Sequence, residues 1–492
     1  MLSDDFKCDR YWLLNARIPV SLLLPGTLPD GWSPDIPKSD RPEEPLAVFD
    51  LEIHHGKITQ MHLSRSSQLA GGQPVGGQFA GGQFAGGQFA GDWQPDSVPA
   101  IDLRQGLVWS CFADLHTHLD KGQIWQRTAN LDGTFDCALG QCQTDREQYW
   151  QAAELYRRME FGLKCSYVHG TQALRTHLDA YGEKIEISLA VFQALQQEWR
   201  DRLTLQAVSL VSIDYFLTPA GEALADQFAA VDGVLGGFVQ MHPDLDRQLD
   251  RVFTLAQERG LALDFHTDES GNPADITLRQ VAAAALRNHF TGQIVCGHCC
   301  SLAVQPLAEV VQTIDLVKQA QIGIVSLPMC NLYLQDRNQR ASQHFVQATL
   351  GDRLAHLQQF ATQTPRWRGI TLVHELRHSG IPVAFASDNC RDPFHAYGDH
   401  DGWEVFTQAV RIAQLDAPIN WCDSVTTVPL KLMGQPTNQI GVGQPADFIL
   451  FQARNLNELL ARSQQDRIVI RQGKPIEMKL PHYSELDDLL PP

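Results

Sequence analysis

Residue types that bind metal ions or transfer protons recur along the chain at the ends of short apolar segments. The clearest group is Asp114-Leu115-His116-Thr117-His118, in which two histidines are two residues apart. At the end of a strand, residues two apart point to the same side. Two imidazoles on one side supply half of the ligands of a tetrahedral metal site. Later segments end in the same way, at His177, His266 with Glu269, His298, and Asp388 with Asn389.

Each of these residues has an ordinary structural explanation when it is taken alone. A His-x-His pair is often a hydrogen-bonded surface feature, and an aspartate after a strand is often a helix N-cap. The joint order is more specific, because a His-x-His pair, two histidines and an aspartate follow the first, fifth, sixth and eighth apolar segments. We therefore expect one site that gathers side chains from distant parts of the chain.

Eight short apolar segments would position these residues. They span residues 107–113, 171–176, 205–211, 234–239, 261–265, 293–297, 322–327 and 381–386. Amphipathic stretches with helical spacing separate them, and strands that alternate with helices predict parallel βαβ units. Eight units predict an α/β fold with a closed (β/α)8 TIM barrel, whose active site lies at the carboxyl ends of the strands. An open doubly wound sheet is the alternative, but no glycine-rich dinucleotide motif follows a strand.

The two ends of the chain lie outside this pattern. Strand-like segments occur at residues 11–20, 46–54, 56–63, 447–452 and 467–471. Their mixture of polar residues with Val, Ile and Leu is typical of half-buried strands. We expect the two ends to pair into one small β-sandwich domain, which places the boundaries at residues 1–106, 107–430 and 431–492.

A glycine-rich repeat interrupts the N-terminal region. Residues 71–90 are four five-residue units, GGQPV followed by three copies of GGQFA. Glycine loses more backbone entropy on folding than any other residue, so such a repeat is costly to order. We expect a flexible surface insertion at 71–90.

The composition excludes several classes of partner. The chain has 492 residues, of which 43% are hydrophobic and 20% charged, as in globular proteins. Its net charge of −18 repels nucleic acid and anionic lipid, so we expect neither as a partner. No apolar run approaches the roughly 20 residues that span a bilayer. Eleven cysteines without a secretion signal predict reduced thiols in a cytoplasmic protein.

The motifs together resemble the amidohydrolase superfamily, and in particular its cytosine deaminase branch. The similar stretches are HTHLD at 116–120, RTHLD at 175–179, HTDE at 266–269, NLYLQDR at 331–337, RGIT at 368–371, and Asp388-Asn389 with Asp392-Pro393-Phe394. The resemblance implies one divalent ion per subunit, zinc or iron, with the ligands His116, His118, His266 and Asp388. Relatives with two ions carry a carboxylated lysine after strand four, where this chain has Gln240-Met241-His242-Pro243.

The resemblance also implies a reaction and a role for each residue. A bound ion lowers the pKa of water, so that metal-bound hydroxide is available to attack a ring carbon. Asp388 would take the proton of that water, and His298 would orient the hydroxide. Glu269 would protonate the ring and then the leaving amine. The implied enzyme is a metal-dependent hydrolase of carbon–nitrogen bonds other than peptide bonds, a homo-oligomeric deaminase that releases ammonia from a cytosine-like nitrogen heterocycle.

Three positions implied to contact the substrate depart from the cytosine-specific pattern. Ser212 stands in place of a glutamine, Asn389 in place of a second aspartate, and Phe394 in place of a tryptophan. A polar mismatch in a buried site is costly, so changes at such positions predict a different ligand. Lys121 is a further difference, and would either neutralise an anionic ring or pair with Asp120.

Two other functions stay open. The start His-Thr-His-Leu-Asp-Lys at 116–121 is also similar to triazine-processing relatives, so the enzyme would act on an s-triazine or a cyclic amide. A protein of another class would be a catalytically inactive barrel that serves as a scaffold. The intact set of ligand-type residues argues against that scaffold.

Overall fold

The computed structural model describes residue 6 and residues 8–29, 45–64, 98–182, 184–336 and 364–490. The repeat at 71–90 lies outside these residues. The chain divides into two compact units. One comprises Met1–Cys111, Ala417–Cys422 and Asn438–Glu477, and the other comprises Phe112–Asp416, Asp423–Thr437 and Met478–Pro492.

The elements of both units are numbered in chain order. The strands are β1 Arg10–Pro19, β2 Leu46–His54, β3 Lys57–Leu63, β4 Ala100–Asp102, β5 Val108–Ser110, β6 Phe112–Thr117, β7 Thr171–Asp179, β8 Thr204–Leu210, β9 Leu235–Phe238, β10 Leu263–Thr267, β11 Ile294–His298, β12 Gly323–Ser326, β13 Val383–Phe385, β14 Phe448–Leu450, β15 Ile468–Arg471 and β16 Lys474–Pro475. The α-helices of the described residues are α1 Phe135–Tyr149, α2 Ala152–His169, α3 Lys184–Trp199, α4 Pro219–Ala229, α5 Leu245–Arg259, α6 Thr277–Arg287, α7 Leu307–Gln319, α8 Pro328–Leu334, α9 Val373–His378, α10 Gly402–Ala413, α11 Thr427–Leu432 and α12 Leu456–Leu460.

The smaller unit contains two four-stranded sheets, in the orders β3-β2-β1-β4 and β16-β15-β14-β5. β1 runs antiparallel to β2 and parallel to β4, and β14 runs antiparallel to both of its neighbours. Apolar side chains of both sheets form one buried cluster that includes Leu13, Phe49, Val108, Phe448 and Ile470. Strands from the two ends of the chain therefore share a core.

The larger unit contains eight parallel strands, counted within the described residues, that close into a barrel. β6, β7 and β8 form one sheet, and β9 to β13 form another. Parallel bridges between Val208 and Val234 and between Ser212 and Phe238 join β8 to β9. A bridge between Thr117 and Asp388 joins β6 to the segment after β13. Since each strand is followed by at least one helix, the predicted TIM-barrel-like α/β fold is confirmed.

The helices pack on the barrel through one apolar stripe. In α5, Leu249, Val252, Phe253 and Ala256 are spaced by three and four residues, and all are buried. The chain leaves α5 through Gly260 at φ 67°, a left-handed conformation that glycine adopts without strain. Helix α4 begins at Pro219, and the side chain of Thr218 caps its first turn. No helix of the described residues is long and apolar enough to cross a membrane.

The strands β6, β7, β10 and β11 extend beyond the carboxyl ends of the apolar segments that predicted them, whereas β9, β12 and β13 are shorter than their segments. The first segment, 107–113, is divided between two units, because Val108–Ser110 pairs with β14 while Phe112 begins the barrel. β6 then continues through Asp114 and His116 to Thr117, and every residue of it is buried. Both faces of a barrel strand are covered, so a buried polar residue that faces the barrel interior can still belong to the strand.

Candidate active site

Four predicted metal ligands lie together at the carboxyl ends of the barrel strands. Nε2 of His266 lies 3.2 Å from Nε2 of His116 and 3.4 Å from Nε2 of His118. Oδ1 of Asp388 lies 3.2 Å from Nε2 of His118 and 3.6 Å from Nε2 of His116. All four side chains are buried. Three imidazole nitrogens thus lie together, and one carboxylate oxygen of Asp388 adjoins two of them.

The donor set and its spacing fit a divalent ion. Tetrahedral ligands at about 2.0–2.1 Å from a zinc ion lie about 3.4 Å from one another, and the four distances above bracket that value. Burial lowers the pKa of His116, His118 and His266 well below the usual range, so each imidazole is in the neutral form that binds metals. Burial raises the pKa of Asp388 to about 8, so its anionic form requires a nearby positive charge.

Four residues at or beside the ends of these strands have left-handed backbone conformations. Asp388 has φ 61°, His298 has φ 65°, and Cys299 and Asp268 have φ 51°. The left-handed region is costly for residues with a Cβ, and such residues persist where the surrounding structure holds them. Gly297 meets a different constraint, since a Cβ there would lie 3.0 Å from Cε1 and 3.2 Å from Nδ1 of His116. The strand next to His116 therefore needs a residue without a side chain at this position.

Two further predicted residues, Glu269 and His298, lie beside each other. Oε1 of Glu269 is 3.3 Å from Nδ1 of His298. Burial and the charge of Asp388 raise the pKa of Glu269 well above its usual range. Burial lowers the pKa of His298 to about 3, so its ring is neutral. A carboxyl group with a raised pKa beside a neutral imidazole is suited to general acid chemistry and hydrogen bonding.

Asn331 also contacts His298, although the sequence did not predict Asn331 as a site residue. Its Nδ2 lies 3.0 Å from Nδ1 of His298, and its side chain is buried. In the sequence it stands out only as the first residue of the NLYLQDR stretch, of which residue 337 lies outside the described part of the chain. The signal that could have found it is Gln335, a second amide one helical turn later.

The three predicted substrate residues occupy different surroundings. The backbone N–H of Ser212 donates to the hydroxyl of Tyr181 at 2.6 Å, and Ser212 is partly exposed. The amide of Asn389 donates to Asp392 at 2.7 Å and is buried. Phe394 is buried, with its ring edge-to-face against a neighbouring phenylalanine at a centroid distance of 5.4 Å. Asn389 follows Asp388 directly and thus adjoins the ligand cluster.

Lys121 is a buried cation that pairs with Asp179 rather than with Asp120. Its Nζ lies 2.8 Å from Oδ1 of Asp179 and 5.4 Å from the centre of the Phe394 ring. Asp120 instead accepts the backbone N–H of Asp179 at 2.7 Å. The positive charge of Lys121 partly opposes the rise in the pKa of Glu269.

A second layer of buried polar residues surrounds the histidines. The rings of His116 and His177 have centroids 3.9 Å apart. Ligand atoms of His116, His177 and Asp264 lie within 4.8 Å of one another, which makes them a second group that could hold an ion. Arg175 donates to Asp264 at 2.7 Å, so an arginine already neutralises this carboxylate. These contacts also account for the similar RTHLD stretch, since Arg175 and His177 support the site from within the barrel.

Comparisons with known proteins match most of the chain. The amidohydrolase family matches residues 141–476. A pterin deaminase of Rhizobium rhizogenes strain K84 is 47% identical over 399 residues, which cover 80% of this chain and 86% of the relative. The N-isopropylammelide isopropyl amidohydrolase of Pseudomonas sp. strain ADP is 23% identical over 397 residues, 76% of this chain and 87% of the relative. The solved structure of Klebsiella pneumoniae 5-methylcytosine deaminase liganded with 5-fluorocytosine has a TM-score of 0.71 at 22% identity, and covers 96% of this chain and 98% of its own.

Proposed function

We propose that this chain, which belongs to the amidohydrolase family, is a deaminase that releases the 2-amino group of a pterin-type heterocycle as ammonia. The chain is a hydrolase of carbon–nitrogen bonds other than peptide bonds, and the predicted deamination of a nitrogen heterocycle is confirmed. The observation that carries the pterin proposal is the 47% identity to the Rhizobium rhizogenes pterin deaminase over 80% of this chain.

The chemistry of the ring agrees with the departures from the cytosine pattern. Cytosine and pterin both contain a ring carbon bonded to an exocyclic amine and to a ring nitrogen, so the same attack serves both. Pterin adds a second fused ring and carries its amine on a different carbon. Ser212 is shorter than the glutamine it replaces, and Asn389 can both donate and accept where aspartate only accepts. These changes favour a larger ring with a different pattern of donors and acceptors.

We propose that His116, His118, His266 and Asp388 hold one divalent ion, zinc or iron. Such an ion, when bound, supplies Lewis acidity and makes water a nucleophile near neutral pH. The pairing of Asp264 with Arg175 supports a single ion, because that carboxylate is already neutralised. Imidazole and carboxylate ligands suit zinc and ferrous iron.

The residues around the proposed ion divide the proton transfers. Asp388 accepts the proton of the attacking water. Glu269, whose pKa is raised, donates a proton to the ring nitrogen, regains one from the hydroxyl that has added to the ring carbon, and passes it to the leaving amine. His298 hydrogen-bonds the oxygen that bonds to the ring carbon. One carbon–oxygen bond forms, one carbon–nitrogen bond breaks, and the products are ammonia and a ring carbonyl.

Ammonia release from a panel of heterocycles tests the proposal. Purified protein loaded with zinc or ferrous iron would be assayed with pterin, isocytosine, cytosine and N-isopropylammelide at equal concentrations, with Asp388→Ala as the control. We expect the highest kcat/KM with pterin and none in the control. Preferential release of isopropylamine from N-isopropylammelide would instead support the s-triazine alternative, and metal-loaded protein inactive on all four would support the scaffold.

The finer organisation of the chain is part of the same proposal. The shared apolar cluster supports a small β-sandwich made from the two ends of the chain. Its boundaries differ from the predicted 1–106, 107–430 and 431–492, because Val108 belongs to that cluster and Met478–Pro492 to the larger unit. The eleven cysteines are thiols rather than disulfides, which supports a reducing, cytoplasmic location. A homo-oligomer follows from the family resemblance alone.

A further inference from the structure

Helix α8 reaches both residues that are proposed to handle protons. Asn331 lies within it, and Nδ2 of Asn331 is 3.0 Å from Nδ1 of His298. Gln335 follows the last residue of α8, and its Nε2 donates to the backbone oxygen of Glu269 at 3.3 Å. The N–H of Gln335 still donates to the oxygen of Asn331, so the two side chains project from the same face.

The helix is held in place from behind by the segment at 368–371. Gly369 has φ 66°, and a Cβ there would lie 2.8 Å from the oxygen of Asn331 and 2.7 Å from Cγ of Gln335. Arg368 donates to the backbone oxygen of Ile412 at 2.9 Å, which attaches the same segment to α10. The close approach at Gly369 limits movement of the Asn331 backbone and of the Gln335 side chain away from the site.

The contact of Asn331 selects one form of the His298 ring. A neutral imidazole carries one proton, on Nδ1 or on Nε2. An amide N–H that donates to Nδ1 requires a lone pair there, which puts the proton on Nε2. Oε1 of Glu269 lies 3.3 Å from the same Nδ1 and fits this tautomer when its carboxyl group carries the proton. Nε2 of His298 is buried, and it has no hydrogen-bond partner in the described part of the chain. It is therefore an available donor.

We propose that Asn331 is a positioning residue that keeps His298 in the tautomer with its proton on Nε2. Gln335, at the end of the same helix, holds the backbone of Glu269. The inference deepens the proposed function and rests on it only for the catalytic meaning of the tautomer. With the proton on Nε2, His298 donates to the oxygen that bonds to the ring carbon. With the proton on Nδ1, it would face that oxygen with a lone pair.

The tautomer can be read directly by nitrogen NMR of the zinc-loaded protein with 15N-labelled histidine. His298→Gln identifies the signals of this ring by their loss. In the wild type we expect a pyridine-type Nδ1 and a pyrrole-type Nε2. Asn331→Asp keeps the shape but only accepts hydrogen bonds, so we expect the proton to move to Nδ1.

The kinetic expectation is a loss of kcat with little change in KM. Removal of one donor to a developing oxyanion costs about 10²–10³-fold in kcat, and we expect that range for Asn331→Asp and Asn331→Leu with the pterin substrate. The matched control is Asn438, whose Nδ2 donates to the backbone oxygen of Asp447 at 2.9 Å in the smaller unit. Asn438→Asp and Asn438→Leu remove the same donor elsewhere, and we expect their kcat to stay at the wild-type value.

The outcomes separate this inference from the proposed function. A wild-type His298 with its proton on Nδ1, or an unchanged tautomer in Asn331→Asp, would overturn the positioning role. If Asn331→Leu fails to fold, the near-isosteric Asn331→Asp still decides the question through its NMR signals. A wild type that shows the expected tautomer but releases no ammonia from pterin would refute the proposed function and leave the role of Asn331 standing.

Discussion

Gly297→Ala is a small change that tests whether His116 is held as a ligand. Gly297 is in β11, where it pairs in register with His266 of β10. The added methyl carbon would lie 3.0 Å from Cε1 of His116, whereas non-bonded carbon atoms are in optimal contact at about 3.5–4.0 Å. The ring of His116 and the strand that carries residue 297 must therefore separate by a few tenths of an ångström.

The size of that shift sets the expected effect. Metal–ligand distances tolerate only about 0.2 Å, and Nε2 of His116 lies 3.2 Å from Nε2 of His266. A disturbed support of a metal ligand typically costs about 10–100-fold in affinity, which is about 1.4–2.8 kcal/mol. Overpacking should also lower the free energy of unfolding of the metal-free protein by about 1–3 kcal/mol.

Zinc competition against a chromophoric chelator measures the affinity, and urea unfolding of the metal-free proteins measures the stability. Gly140→Ala is the matched control, because Gly140 lies in α1 and a Cβ added there would meet nothing within 4 Å. That variant should bind zinc normally and gain about 0.5–1 kcal/mol of helix stability. If Gly297→Ala folded and bound zinc as the wild type does, the assignment of His116 as a ligand would be wrong.

Four further outcomes are expected. Asp388→Ala should abolish ammonia release and lower the metal content measured after gel filtration, and retention of both would exclude it as a ligand. Glu269→Gln should keep the metal but lower kcat by about 10²–10⁴-fold, because an amide cannot supply the proton; a wild-type kcat would remove Glu269 from the mechanism. Burial lowers the pKa of His395 to about 4, below the unfolded value of about 6.5, so the unfolded state binds more protons between these values. Stability of the metal-free protein should therefore fall as pH falls from about 6.5 to about 4, and urea midpoints should show a shallower fall in His395→Gln. Arg175→Met should destabilise the fold by about 3–5 kcal/mol, because Asp264 is left buried and unpaired; an additional Asp264→Leu should restore most of that loss.

The barrel and its rim were predictable because they depend on residue type and order. Strands covered on both faces appear as short apolar runs, and parallel strands of a barrel present their carboxyl ends on one side. A histidine or aspartate at such an end is therefore directed to a shared rim. His116, His266 and Asp388 belong to distant segments, yet the order of the runs was sufficient to bring them together.

Side-chain partners were less predictable, because they depend on register and on contacts between distant segments. Lys121 is next to Asp120 in the chain, yet Asp120 accepts a backbone N–H and the ammonium pairs with Asp179. The partner of His298 is Asn331 on a short helix, and no periodic pattern links the two residues. The sequence also did not predict that residues 107–113 divide between two sheets. Apolar residues continue through Cys111, and apolar character alone does not show which strand each residue pairs with.

The meeting of the first and last barrel strands gives the proposed ion a mechanical role. Asp388 donates its backbone N–H to the oxygen of His116 at 2.9 Å, and Thr117 donates its hydroxyl to the oxygen of Asp388 at 3.0 Å. An ion shared by His116 and Asp388 would cross-link the two strands at this seam. Removal of the ion by a chelator should then increase the rate of deuterium uptake at the Asp388 amide more than at amides of the central strands. Hydrogen exchange would therefore report metal loading without any substrate.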